Sequence, residues 1–152
     1  MEVEIVEKND LEGAMIVEGM TEKIFPEFVR WHRNSVLNYL RLGGKVFVAK
    51  VSGEVVGFAF FRKIHEKLWE LTLIGVLEEY RGMGIGGRLL EEAVKVIGGE
   101  IYLHVQTSNL PAIRLYEKFG FVKDKLIRGF YSDGSDAYLM VRRDFIPNSF
   151  KP

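Results

Sequence analysis

The chain of 152 residues contains no cysteine. That excludes a disulfide framework, a thiolate metal site and a cysteine nucleophile, and no other metal site is expected. No apolar run approaches the roughly 18 residues that suggest a membrane-spanning helix, so no membrane partner is expected. The opening residues, M-E-V-E-I-V-E-K, alternate apolar and acidic, the wrong pattern for a secretion signal. There is no excess charge of either sign: 21 Lys and Arg balance 21 Asp and Glu, so nothing points to nucleic acid. These absences leave a cytoplasmic protein as the expectation. What is present, 47% hydrophobic and 28% charged residues, is the composition of a soluble globular domain large enough to bury a core.

The most informative stretch is residues 71–94, L-T-L-I-G-V-L-E-E-Y-R-G-M-G-I-G-G-R-L-L-E-E-A-V. A β-forming apolar run gives way to a glycine-dense loop, and a helical apolar period begins at Arg88. Strand, tight loop and helix start in that order aim a row of backbone N–H groups at one point, at the positive end of a helix dipole. Gly82, Gly84, Gly86 and Gly87 leave those groups uncovered, so the loop reads as a cradle for a pyrophosphate. The spacing Gly82-x-Gly84-x-x-Gly87 also satisfies a dinucleotide fingerprint, but the next strand, I-Y-L-H-V-Q-T, ends without the acidic residue that fold requires. A nucleoside triphosphate loop would need Gly-Lys-Ser/Thr, and Gly87 is followed by Arg88 and Leu89.

Along the chain, residues 3–6 read as an edge strand. Asn9–Asp10 is a helix N-cap signal for a helix over 11–23, with Leu11, Ala14, Met15 and Gly19 facing inward. Phe25-Pro26 breaks it. A second helix is expected over 27–42, closed by Gly43–Gly44, with Phe28, Trp31 and Tyr39 serving mostly as core. Strands at 45–51 and 54–63 flank the hairpin signal Ser52-Gly53. The central strand, 68–76, contains Gly75, which marks a bulge or a close backbone approach. A helix over 84–97, a short buried strand over 101–105 parallel to the central one, and a helix over 110–119 follow. Strands at 121–128 and 137–144 form a last hairpin around Y-S-D-G-S-D, and 146–152 reads as a tail on a single domain of 1–145. The antiparallel meander ahead of the glycine loop argues further against a doubly wound dinucleotide fold.

Arg81-Gly-Met-Gly84-Ile-Gly86 resembles motif A of the GNAT N-acetyltransferases, Arg/Gln-x-x-Gly-x-Gly/Ala. The stretch S-N-L-P-A-I-R-L-Y-E-K-F-G-F resembles that family's Asn-x-x-Ala-x-x-Leu-Tyr-x-x-x-Gly-Phe. The order β–α–α–β–β–β–α–β–α–β–β matches as well, over nearly the whole chain. The resemblance implies an α/β fold with a mixed, mostly antiparallel sheet of six or seven strands, a splayed central parallel pair and four helices. It implies an N-acetyltransferase using acetyl-coenzyme A as cosubstrate. The pyrophosphate would lie on Arg81, Gly82, Met83, Gly84, Ile85, Gly86 and Gly87, and the pantetheine arm would pair with free backbone groups of Ile74 and Val76. Asn109 would bind the coenzyme near that arm, or only cap its helix.

Acyl transfer must hold the thioester, keep the amine neutral and protonate the departing thiolate. By the resemblance Tyr116 reaches the sulfur as general acid; read from its helix alone it is a core tyrosine. Glu70 is an acid in an apolar strand, where an unpaired charge is costly, and His104 lies among apolar residues of the neighbouring strand. The two could relay a proton from the amine, or form a structural ion pair, or leave Glu70 facing solvent. His32 and His65 receive no role.

I-Y-L-H-V-Q-T-S-N, I-F-P and G-F-Y-S-D-G-S-D-A-Y-L-M are similar to the RimI-like acetyltransferases of protein N-terminal α-amines. There a histidine at this place relays the amine proton, and aromatics corresponding to Phe25, Pro26 and Tyr131 grip the acceptor. An α-amine, with a pKa of about 7.7–8.0, needs only a modest base, whereas a lysine near about 10.4 needs a strong one. Acetylation of a small amine or of a lysine side chain, and a non-catalytic coenzyme sensor, remain as alternatives. The oligomeric state, monomer or homodimer, is not written in the sequence.

Overall fold

The computed structural model describes residues 1–26 and 29–143. Its elements are β1 (Val3–Glu7), α1 (Leu11–Ile24), α2 (Arg33–Arg41), β2 (Lys45–Val51), β3 (Glu54–His65), β4 (Leu68–Val76), a 3-10 turn (Glu78–Tyr80), α3 (Ile85–Val96), β5 (Glu100–Gln106), α4 (Leu110–Lys118), β6 (Val122–Ile127) and β7 (Ala137–Arg142). The seven strands hydrogen bond in the order β1-β2-β3-β4-β5-β7-β6. β4 and β5 are parallel; β1/β2, β2/β3, β5/β7 and β6/β7 are antiparallel. The expected mixed sheet with four helices is what forms. The chain divides into two compact units, Met1–Lys63 with Leu71–Val96, and Ile64–Glu70 with the chain from Ile97 onward. Phe28, the end of the last expected strand and the expected tail fall outside the described residues.

In the first unit, alternation along β2 and β3 sends side chains to two faces. Val46 and Val48 stand opposite Phe60 and Phe58, and these four form a core with Ala14, Val17 and Met20 of α1 and Val36 and Leu40 of α2. Truncating one such phenylalanine to alanine costs about 3–5 kcal/mol. On the other face Phe47 meets Phe61 edge-on at 5.8 Å, and a Cβ added to Gly57 would sit 3.5 Å from Ile85 of α3. Helices therefore cover both faces of this part of the sheet.

Two helix expectations are corrected. Leu11 and Met15 are exposed, and Gly19 is only half-buried; the inward stripe is Ala14, Val17, Met20 and Thr21. Asp10 does cap α1, its side chain accepting from the Gly13 amide. The close backbone at Gly13, where the Lys8 carbonyl fills the place of a Cβ, turns Ala14 and Val17 inward. α2 starts at Arg33 rather than at 27, because residues 29–32 are held in a non-helical turn. His32 supplies no side-chain cap; instead Glu18 of α1 accepts from the Arg33 amide at 2.9 Å and pairs with its guanidinium at 2.7 Å. The Ser52-Gly53 hairpin forms as expected, with both residues left-handed (φ 50 and 80°).

In the second unit, β5 alternates as strictly: Ile101, Leu103 and Val105 are buried, while Tyr102, His104 and Gln106 on the opposite face are half-buried. Leu103 stands opposite the buried Met140 of β7. The parallel ladder between β4 and β5 is short, running from Leu68↔Glu100 through Trp69↔Ile101 to Glu70↔Tyr102. The loop from residue 128 to 136, between β6 and β7, is closed by its own hydrogen bonds. Gly129 donates to Asp136, Tyr131 to the Ser135 carbonyl and Gly134 to the Tyr131 carbonyl. Gln106 and Thr107, at the end of β5, pin it through Ser135 and Asp136.

Candidate functional site

The glycine loop has the form the sequence requires. After the 3-10 turn, Arg81 is extended, and Gly82 and Gly84 take left-handed conformations (φ 78 and 81°). A Cβ added to either would meet nothing within 4 Å, so the loop leaves open space where side chains would stand. The first bond of α3 runs from the Arg88 amide to the Gly84 carbonyl at 3.0 Å. The amides of Ile85, Gly86 and Gly87 therefore precede the first intrahelical bond, as donors at the positive end of the helix. The Ile85 side chain is fully buried, so only its backbone could serve a ligand, whereas Met83 is exposed. This arrangement fits an anionic group lying on backbone amides.

One detail of the β4 end differs from expectation and one meets it. Arg81 turns back, and its Nε donates to the Val76 carbonyl at 3.0 Å, so this carbonyl is not free in the structure. Gly75 marks a close approach: a Cβ there would lie 3.1 Å from Ile24 and 3.2 Å from Phe25. Ile74, beside it, is half-buried. Phe25 is likewise half-buried and packs edge-on against Phe58 at 6.4 Å, while Pro26 is exposed. The turn they occupy is gathered by Arg30, whose Nη1 donates to the carbonyls of Thr21 (3.1 Å), Phe25 (2.9 Å) and Pro26 (2.9 Å). A cation at the C-terminal end of α1 meets the helix carbonyls there. Trp31 and Tyr39, expected mostly as core, pack on Phe60 and flank the Arg62 guanidinium at 5.6 and 5.0 Å.

The second unit holds the titratable residues. The register Glu70↔Tyr102 places Glu70 on the same face as Tyr102 and His104, and the acid and the imidazole interact electrostatically. Burial pushes the His104 pKa below its ordinary value of 6.5, and the Glu70 carboxylate opposes that shift. Burial dominates, so His104 is neutral at neutral pH and can accept a proton. Its ring lies flat against Phe130 at 4.4 Å and 16°, with Tyr102 edge-on at 6.0 Å. Phe130 in turn meets Tyr131 edge-on at 4.9 Å.

Tyr116 lies on the buried side of α4, tilted against Phe121 at 5.9 Å, with 8% of its surface exposed. Burial, aided by Tyr131, pushes its pKa up to about 12. It keeps its proton throughout the neutral range and so has an O–H to donate there. Asn109 caps α4, its Oδ1 accepting from the Ala112 amide at 3.3 Å. Tyr131 is half-buried, and burial together with Asp133 raises its pKa too.

Of the residues singled out in the sequence, the structure brings Glu70 to His104 and Tyr131 to Tyr116, all in the second unit. The glycine loop, Ile74, Val76, Phe25 and Pro26 belong to the first. Sequence reasoning missed Tyr102, Phe130 and Arg30. Two-residue alternation puts Tyr102 on the His104 face, and Phe130 adjoins Tyr131, so the first two carried a signal. Arg30 carried none.

The family profile described as Acetyltransferase (GNAT) family matches residues 17–121. An N-alpha-acetyltransferase of Sulfurisphaera tokodaii is 43% identical over 110 residues, covering 62% of this chain and 66% of that protein. The chain thus spans about two thirds of that relative's length. The N-alpha-acetyltransferase RimI of Mycobacterium tuberculosis is 41% identical over 101 residues, covering 63% of each chain. Among solved structures, Arabidopsis thaliana Naa50 in complex with the bisubstrate analogue CoA-Ac-MVNAL superposes with a TM-score of 0.78 at 28% identity, covering 93% of this chain and 99% of that one.

Proposed function

We propose, from the premise that this chain belongs to the acetyltransferase (GNAT) family, that it moves the acetyl group of acetyl-coenzyme A onto the N-terminal α-amine of a protein or peptide. The observation that carries the reading is the neutral imidazole of His104 beside the Glu70 carboxylate, a base of modest strength suited to an α-amine. Support for the acceptor class comes from the relatives, named N-alpha-acetyltransferases, and from the peptide-bearing analogue held by Naa50.

Acetyl-coenzyme A supplies an activated thioester carbonyl. The amine nitrogen attacks that carbon, the C–N bond forms, and the C–S bond breaks with its electron pair going to sulfur. His104 takes the amine proton, directly or through one water, and Glu70 stabilises the imidazolium that results. Tyr116 donates a hydrogen bond to the thiolate as charge develops on it. The amides from Gly82 to Gly87, with Arg81, hold the pyrophosphate. Backbone groups of Ile74 and Val76 and the Asn109 side chain receive the pantetheine arm, and Phe25, Pro26 and Tyr131 grip the acceptor's first residues. A cytoplasmic location belongs to the same reading, because acetyl-coenzyme A and nascent N-termini meet there.

The test is thiol release from acetyl-coenzyme A across peptides differing in their first two residues. Peptides with blocked N-termini and an internal lysine, and polyamines, serve as controls. Turnover confined to free N-termini is the expected result. Turnover on the polyamines or the lysine peptides would replace the acceptor class, and tight coenzyme binding without any turnover would replace the enzyme with a sensor.

A further inference from the structure

The stack of Phe130 on His104 stands outside the roles assigned above. Two ring planes 16° apart with centroids 4.4 Å from each other are close to the offset-stacked geometry aromatic pairs prefer. Phe130 is itself 43% exposed, so its ring is not placed there by burial in a core. What places it is the loop: Gly129, just before it, is left-handed (φ 62°) and donates to Asp136, and Tyr131, just after it, donates to the Ser135 carbonyl. That loop is fastened to the strand carrying His104 through Gln106 and Thr107. The loop thus holds one aromatic face over the imidazole.

The other neighbours of the imidazole do different things. Glu70 on β4 is the charged group that acts on it. Tyr102, on its own strand, meets it perpendicular, at 84° with centroids 6.0 Å apart, rather than stacked. Its partner on β7 is Leu139, which does not titrate, and from the loop the nearest titratable ring is Tyr131, one residue beyond Phe130. Phe130 is therefore the neighbour that covers a ring face of His104 without adding charge.

We infer that Phe130 is a positioning residue: its ring fixes the plane of the His104 imidazole and keeps water from one face, so that a ring nitrogen stays aimed at the incoming amine. The inference rests on the reading of His104 as base. A ring stacked flat on the imidazole leaves the nitrogens at its rim uncovered by that ring. The water excluded from the covered face is part of the burial that favours the neutral, proton-accepting form.

The experiment compares F130A, F130Y and H104A with the parent protein. His104 is titrated by NMR in the ligand-free protein, and the pH profile of kcat is measured with the best peptide acceptor. F130A is expected to move the His104 titration upward, lower kcat by about tenfold through misplacement of the base, and shift the acid limb of kcat to higher pH, with KM for acetyl-coenzyme A unchanged. F130Y, which keeps the aromatic face, is expected to restore both titration and rate. A slow H104A alongside an F130A with parental titration and kcat would overturn the inference alone. A fast H104A would overturn the base assignment and this inference with it.

Discussion

Glu70 and His104 share one face of adjacent parallel strands, the acid paired in register with Tyr102 two residues before the imidazole. Burial lowers the pKa of His104, and the Glu70 carboxylate pulls against that change. With an imidazole pKa below 6.5, the base is unprotonated at neutral pH and is lost as pH drops through that lowered value. E70Q removes the opposing influence, so the acid limb of kcat at saturating acceptor should move to still lower pH. An unmoved or raised limb in E70Q would show that the acid does not act on the base.

Tyr116 makes a separate prediction. With a pKa pushed up to about 12, it contributes no ionisation below roughly pH 10 in any rate profile. Y116F keeps the ring and its packing on Phe121 but removes the donor. It should lower kcat on the order of a hundredfold, as removal of a single transition-state donor does elsewhere. Coenzyme affinity, measured by calorimetry, should be unchanged; a parental kcat would return Tyr116 to a purely structural role.

At the glycine loop, G84A separates fold from ligand. The left-handed φ of 81° makes alanine unfavourable there by about 1–2 kcal/mol, which thermal unfolding should register as a modest drop. The added methyl would project into the open space above the loop. Coenzyme affinity should therefore fall by tenfold or more, beyond what the stability change explains. Equal affinity for parent and variant would mean that the pyrophosphate lies elsewhere.

Arg30 gathers the carbonyls of Thr21, Phe25 and Pro26 in the turn after α1. R30A should loosen that turn, raise KM for peptide acceptors several-fold and leave coenzyme affinity alone, at a stability cost of about 1 kcal/mol for bonds that are mostly exposed. R30K, a point charge without the planar fork, should recover only part of the loss. If peptide KM is parental in R30A, the turn does not contact the acceptor.

The sheet and the glycine loop were legible because both are written in local pattern. Alternation fixed the faces of β2, β3 and β5, and Gly82 and Gly84 occupy conformations that only glycine takes readily. That Glu70 and His104 could meet was legible, since each breaks an apolar strand and the crossover helix makes those strands parallel; the pattern left Glu70 facing solvent equally open. The phase of α1 was not. Leu11, Ala14 and Met15 form one plausible stripe and Ala14, Val17 and Met20 another, and the choice is made by backbone packing of Lys8 on Gly13. The start of α2 was hidden for a similar reason: Arg30 stabilises a non-helical turn through main-chain carbonyls, and no residue pattern encodes that. Gly75 admitted two meanings, and contact with Ile24 and Phe25 is the one observed.

The Arg81 side chain already occupies the Val76 carbonyl. On the proposed reading the resting protein thus keeps a placeholder where the pantetheine amide would dock. Docking there exchanges a charge-assisted hydrogen bond from an exposed guanidinium for one from a neutral amide, so that contact adds little affinity. The guanidinium released in the exchange becomes available to the pyrophosphate. Affinity should then be carried by the diphosphate end of the coenzyme, weaken steeply as salt is added, and be nearly absent for a pantetheine fragment that lacks phosphate.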